Sequence, residues 1–147
     1  MPSPEKARGR VAALDLGEVR TGVAVSDSEG LIARPLEVVP TTDLTDSLRR
    51  LISEEGISEV VVGVPKTMGG EVGFQARRVL DTLGALREQF PGVQFVEWDE
   101  RLTTRVALSG AKAGGRRTAG RKGRTQWVDH LAAARMLQEY LGARGTL

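Results

Sequence analysis

The chain of 147 residues contains no cysteine and a single histidine, His130. Disulfides, thiolate metal sites and a zinc site made from several histidines of one chain are therefore excluded. Aromatic residues make up only 4% of the sequence, which argues against base stacking as the main way of holding a nucleic acid. No long apolar run occurs, so neither a signal peptide nor a membrane span is expected, and the expected location is cytoplasmic. Residues 1–9 are polar and proline-bearing and read as a flexible tail. The remainder, 10–147, reads as one domain, a length that can bury one core.

The formal charge is only +2, but it is unevenly placed. Lys112, Arg116, Arg117, Arg121, Lys122 and Arg124 fall in one short stretch that holds no acid. Without them the chain is net negative. The stretch 112–124 also carries Gly114, Gly115, Gly120 and Gly123. It reads as a mobile basic loop that can follow a phosphate backbone with salt-dependent, largely sequence-blind affinity.

Apolar spacing gives the elements. Arg10–Leu16 is a short apolar run, read as a buried strand. Thr21–Asp27 and Leu31–Val39 read as two more strands, separated by a turn at Ser28-Glu29-Gly30. Pro40-Thr41-Thr42-Asp43 then supplies helix-capping side chains, and Leu44, Leu48, Leu51 and Ile52 recur at helical spacing until Gly56. Glu59–Val64 is a β-branched run, read as a buried parallel strand. Ala76, Val79, Leu80, Leu83 and Leu86 mark a second helix, and Val93–Trp98 a fifth strand. A short helix is expected from Thr103 or Thr104 to about Ala111, and a last one from about Gln126 to Gly142. The order βββαβαβα predicts an α/β fold with a mixed five-stranded sheet flanked by helices.

Three acids stand at element ends. Asp15 closes an apolar strand, where a carboxylate is costly to bury unless it is paired or bound to a cation. Glu100 lies just past the fifth strand. Asp129 lies in the first turn of the last helix, where the helix dipole favours negative charge. Together they could hold Mg²⁺ or Mn²⁺, which prefer oxygen ligands. Each acid also has a plainer reading: a turn aspartate, a surface acid paired to Arg101, and a helix-start residue.

The sequence resembles a known family at four places. Ala13-Leu14-Asp15-Leu16-Gly17 with Arg20-Thr21-Gly22-Val23-Ala24 is similar to the opening motif of the RuvX family, also called YqgF. Val62-Gly63-Val64-Pro65, Asp99-Glu100-Arg101-Leu102-Thr103-Thr104 and Asp129-His130-Leu131-Ala132-Ala133 resemble its later signatures. The resemblance covers residues 10–142. It implies an RNase H-like fold and a metal-dependent endonuclease whose catalytic and metal-binding acids are Asp15, Glu100 and Asp129. Family members are described as Holliday-junction resolvases or as nucleases maturing the leading end of pre-16S ribosomal RNA. A resolvase, which cuts a four-way DNA junction twice, is expected to work as a homodimer, whereas a ribosomal-precursor nuclease could act as a monomer. Many RNase H-like nucleases carry an acid on the fourth strand. Here that strand ends in Gly63-Val64-Pro65, so Glu100 must supply the second carboxylate.

The candidate nucleic-acid contacts are Arg20, Lys66, Arg101 and the six basic residues of 112–124. Arg20 could equally pair with Glu18. Lys66 lies in a glycine-bearing loop that lacks Walker A spacing. Thr103 and Thr104 read as helix caps, Trp127 as core, and His130 as a structural hydrogen-bonding residue. The sequence is also compatible with two other functions. One is a non-catalytic RNA-binding module of ribosome assembly. The other is an ATP phosphotransferase, because Asp15-Leu16-Gly17 and Thr21-Gly22-Val23-Ala24 also resemble the first phosphate loop of actin-like kinases.

Overall fold

The computed structural model describes residues 9–65, 73–100 and 122–145, with backbone alone for 122–130 and 145. Five strands form one sheet: β1 (Arg10–Leu16), β2 (Arg20–Ser26), β3 (Ala33–Pro40), β4 (Ile57–Val64) and β5 (Gln94–Asp99). Their spatial order is β3-β2-β1-β4-β5. The first three are antiparallel neighbours, whereas β4 runs parallel to β1 and β5 parallel to β4. Short turns can join the first three only as hairpins, and the helical crossovers permit the parallel pairs. The helices are α1 (Leu44–Glu55), α2 (Phe74–Gln89) and α3 (Lys122–Gly145). Among the described residues the order is therefore the expected βββαβαβα.

The alternation of strand side chains divides the core into two halves. Ala12 and Leu14 of β1, Val23 and Val25 of β2, and Val60, Val62 and Val64 of β4 face α1 and α2, which contribute Leu48, Leu51, Val79 and Leu83. Val11, Ala13, Ala24 and Val61 face α3, which contributes Ala133, Ala134, Met136, Leu137 and Leu141. Alanines on both partners let α3 lie close to the sheet. Burying a side chain such as Leu14, Leu48, Leu83 or Leu137, all fully enclosed, contributes about 1.5–3 kcal/mol.

Local chemistry shifts several boundaries. Leu31 and Ile32 are not yet in β3. The Asp27 carboxylate accepts both of their backbone N–H groups, at 2.7 and 3.0 Å, and both side chains are exposed. Among the described residues β3 pairs only with β2. It carries Pro35 and Pro40, and its register slips by one residue between the Val23–Glu37 and Ala24–Pro35 pairs. Gly56 ends α1 in the left-handed conformation expected of it, at φ 68° and ψ 38°.

The capping expectation for 40–43 fails. Thr41–Asp43 forms a turn of 3-10 helix, and no side chain caps it or α1. The turn's own backbone bond, from Leu44 N–H to Thr41 O, leads straight into the helix. The Thr41 hydroxyl is thereby released to donate to Gly17 O at 2.8 Å, and it stands 2.9 Å from the Thr21 hydroxyl. α3 starts at Lys122 rather than Gln126, so Lys122 and Arg124 belong to the helix and not to a loop. Lysine, arginine and glutamine favour helix strongly enough to outweigh one glycine at 123. The helix expected at 103–111 lies outside the described residues. Among those residues no helix is long and apolar enough to cross a membrane.

Candidate active site

The site begins with the alternation that built the core. Val11 and Ala13 face α3, so Asp15, two residues on, projects to the same side at the carboxyl end of β1. Asp15 pairs across the ladder with Gly22. On the other flank, Leu14 pairs with Val62, and one step beyond that pair stand Asp15 and Gly63. Gly63 in turn pairs with Trp98 of β5, and Trp98 packs on the α3 side. Glu100 follows two residues later on the same side. Asp15 is thus bordered by glycine in both neighbouring strands.

Into that space Glu100 turns its side chain. Its carboxyl group shares a hydrogen bond with Asp15. Two carboxylates this close cannot both be ionised cheaply, and one must keep a proton or gain a cation. The Glu100 pKa is raised from the ordinary 4.5 to about 7, first by burial, then by the charge and hydrogen bond of Asp15, then by the charge of Asp99. The arrangement falls at the carboxyl ends of parallel strands, where open α/β sheets bind their ligands.

α3 closes the site from above and runs antiparallel to β4. The Tyr140 hydroxyl donates to Glu59 near the start of β4. Arg144 donates to the same carboxylate at 2.8 Å, and Trp98 meets Tyr140 edge-to-face with 5.8 Å between ring centres. Burial first, and then Glu59, raise the Tyr140 pKa to about 12 against the opposing effect of Arg144, so the phenol stays a donor at any physiological pH. At the other end of the contact, Met136 reaches Gly63. Asp129 stands seven residues before Met136, about 10 Å earlier along the axis at 1.5 Å per residue. The helix backbone therefore carries it toward the carboxyl end of the sheet. Its side chain lies outside the described residues, as do those of Lys122, Arg124, Trp127 and His130.

Arg20 opens β2 two residues before Gly22, which places it on the Asp15 side of the sheet. Glu18, the other expected partner of Arg20, is held by Arg78 of α2 at 3.2 Å. The Thr41 hydroxyl bond to Gly17 O and the Thr41 N–H bond to Val19 O tie down the turn leaving β1, and the largely exposed ion pair adds little to them. The turn borders a shallow cleft lined by Leu16, Gly17, Glu18, Thr41, Arg78 and Thr82. Lys66, Arg101, Lys112, Arg116, Arg117 and Arg121 lie outside the described residues.

The structure therefore brings together two of the three expected acids. Among the described residues no group of three acidic or histidine side chains is gathered to hold a metal ion. The donors present are all carboxylate oxygens, which suit a hard divalent cation, and the excess negative charge of the Asp15–Glu100 pair fits one. The sequence alone does not point to Gly63 and Thr41 as parts of the site. By pattern Gly63 is a strand-four position that lacks a carboxylate. Its signal is a general one: a glycine interrupting a run of valines marks a close approach.

Comparison with known proteins agrees with this architecture. The family model described as "RuvX: Holliday junction resolvase" matches residues 9–143. A protein of Rubrobacter xylanophilus named "Putative pre-16S rRNA nuclease" is 64% identical over 145 residues, covering 99% of each chain. A protein of the same name from Desulforudis audaxviator is 41% identical over 142 residues, covering 92% of this chain and 95% of its own. Among solved structures, Thermus thermophilus RuvC in complex with a Holliday junction substrate superposes with a TM-score of 0.57 at 22% identity. That match covers 94% of this chain and 96% of the other. The fold is RNase H-like, as the motifs implied.

Proposed function

The chain belongs to the RuvX family, and on that premise we propose that it is a divalent-metal-dependent endonuclease hydrolysing phosphodiester bonds in structured nucleic acid. The observation that carries this reading is the Asp15–Glu100 carboxyl pair, held on one sheet face at the carboxyl ends of β1 and β5. Burying two like-charged groups in contact opposes folding unless the site uses them. Asp15, Glu100 and Asp129 would hold Mg²⁺ or Mn²⁺. When bound, such a cation polarises the phosphate and lowers the pKa of attacking water.

The remaining work falls to the chain itself. Asp15 and Glu100 orient what is bound between them, and the Thr41 bonds to Gly17 and Val19 hold the turn on which that orientation depends. Arg20, on the same sheet face, is the contact for the scissile phosphate. Lys66, Arg101 and the basic residues Lys112, Arg116, Arg117, Arg121, Lys122 and Arg124 bind flanking phosphates and set affinity rather than sequence preference. The names of the relatives make pre-16S rRNA the first substrate to test, at the 5′ end that the family resemblance implies, and the family model makes a four-way DNA junction the second.

The test is cleavage of both labelled substrates in Mn²⁺, with the wild type beside Asp15→Asn. Wild type is expected to cut at least one, and the variant to lose about a hundredfold or more in rate. If neither substrate is cut, or if Asp15→Asn cuts as fast, the nuclease mechanism is wrong.

A further inference from the structure

Strand β4 reads Ile57-Ser58-Glu59-Val60-Val61-Val62-Gly63-Val64, and its glycine has no backbone reason to be there. Only Gly9, Gly30 and Gly56 among the described residues take a positive φ. Position 63 has ordinary strand geometry that valine would occupy readily. Glycine inside a strand loses conformational entropy and packs nothing, so it weakens the element.

The space beside Gly63 is already filled. A β-carbon at position 63 would stand 2.5 Å from Glu100 Oε2, 2.9 Å from Glu100 Cγ and 2.8 Å from Met136 Sδ. Real β-carbons do not approach other heavy atoms within 3.0 Å. The atoms in the way belong to two flexible side chains, not to backbone. A methyl group there would leave the sheet intact and displace the carboxylate.

We propose that Gly63 is a positioning residue, whose missing side chain forms the seat holding the Glu100 carboxylate against Asp15. The proposal rests on reading Asp15 and Glu100 as cation ligands. Strand four contributes to the site by making room. A carboxylate arriving from β5 occupies the volume that a strand-four side chain would otherwise fill. Glu100 meets the built β-carbon through both its carboxylate oxygen and its γ-carbon, and Met136 Sδ closes the other side of the seat.

The test is a double-mutant cycle of Gly63→Ala and Glu100→Ala, read by Mn²⁺ titration calorimetry and by metal-free thermal melting. In the wild-type background Gly63→Ala is expected to weaken Mn²⁺ binding about tenfold or more and to lower the melting temperature. In the Glu100→Ala background the same change should alter Mn²⁺ affinity less than twofold. There it should lower the melting temperature less, because only the Met136 Sδ contact remains and that side chain can shift into the volume Glu100 vacates. Equal losses in both backgrounds would show a general packing role and overturn the proposal, as would unchanged Mn²⁺ affinity in Gly63→Ala. A wild type that binds no Mn²⁺ would remove the ligand reading by itself. The melting cycle would then still decide whether Gly63 seats Glu100, and additive melting shifts would refute the seat.

Discussion

Glu100 keeps its proton to about pH 7 because it is enclosed and faces Asp15. The consequence for stability has a definite sign. Below the ordinary value of 4.5 the carboxyl is protonated in both folded and unfolded chains, and it adds no pH dependence. Between 4.5 and about 7 the unfolded chain releases the proton while the folded chain holds it, so stability falls as pH rises. Above about 7 the loss is complete. Chelator-treated protein should therefore lose stability between pH 5 and 7.5. The part of that loss absent in Glu100→Gln is on the order of 2 kcal/mol. Chemical denaturation at the two pH values measures it. Equal pH dependence in wild type and Glu100→Gln would contradict the Glu100–Asp15 contact. Asp15 was legible in the sequence because four apolar residues in a row precede it on β1. Its contact with Glu100 was not legible from spacing, because it depends on β4 lying between β1 and β5 and on the side-chain volume absent at position 63.

At the scale of elements, polar contacts fasten α3 at two places: Gln138 accepts from Ala33 N–H at 2.9 Å and donates to Leu31 O at 3.0 Å, and Glu59 holds the last turns. Glu59 of β4 accepts from both Tyr140 and Arg144, and this end of the contact fixes the height at which Met136 and the preceding turns cross the sheet. Tyr140→Phe removes one of the two donors while keeping the ring against Trp98. It should destabilise the protein by about 1–2 kcal/mol. Amide exchange should speed up in α3 more than in β1 or β4, as hydrogen-exchange mass spectrometry can show. A uniform change across the sheet would mean that the contact does not specifically hold the helix. The strands and α1 were readable in advance because runs of Val and Leu fix their period, and Gly56 supplied the expected left-handed stop. The role of Thr41 was not readable. Its hydroxyl had two outlets, a helix N–H or the Gly17 carbonyl 24 residues back, and only the tertiary placement of the β1–β2 turn selects the second. The hidden start of α3 has a similar origin, since Lys122 and Arg124 suit helix and phosphate contact equally well.

For the whole molecule, Asp15 and Glu100 come from the ends of sheet strands, and the sequence gathers six basic residues between 112 and 124. Neutralising Arg116, Arg117, Arg121 and Lys122 together should weaken nucleic-acid binding. The slope of log affinity against log salt should flatten by about 0.9 for each lost phosphate contact on duplex DNA. The melting temperature should be nearly unchanged. An unaltered salt slope would exclude the stretch from the interface. Strand β3 adds a constraint on assembly. It lies at the border of the sheet, yet Pro35 and Pro40 withhold two N–H groups and the register slip beside Pro35 bends the row. A sixth strand from a second copy could not zip along that border as a regular ladder. Any two-fold pair formed on a symmetric junction would therefore have to form without a continuous sheet running across β3 from one copy to the other.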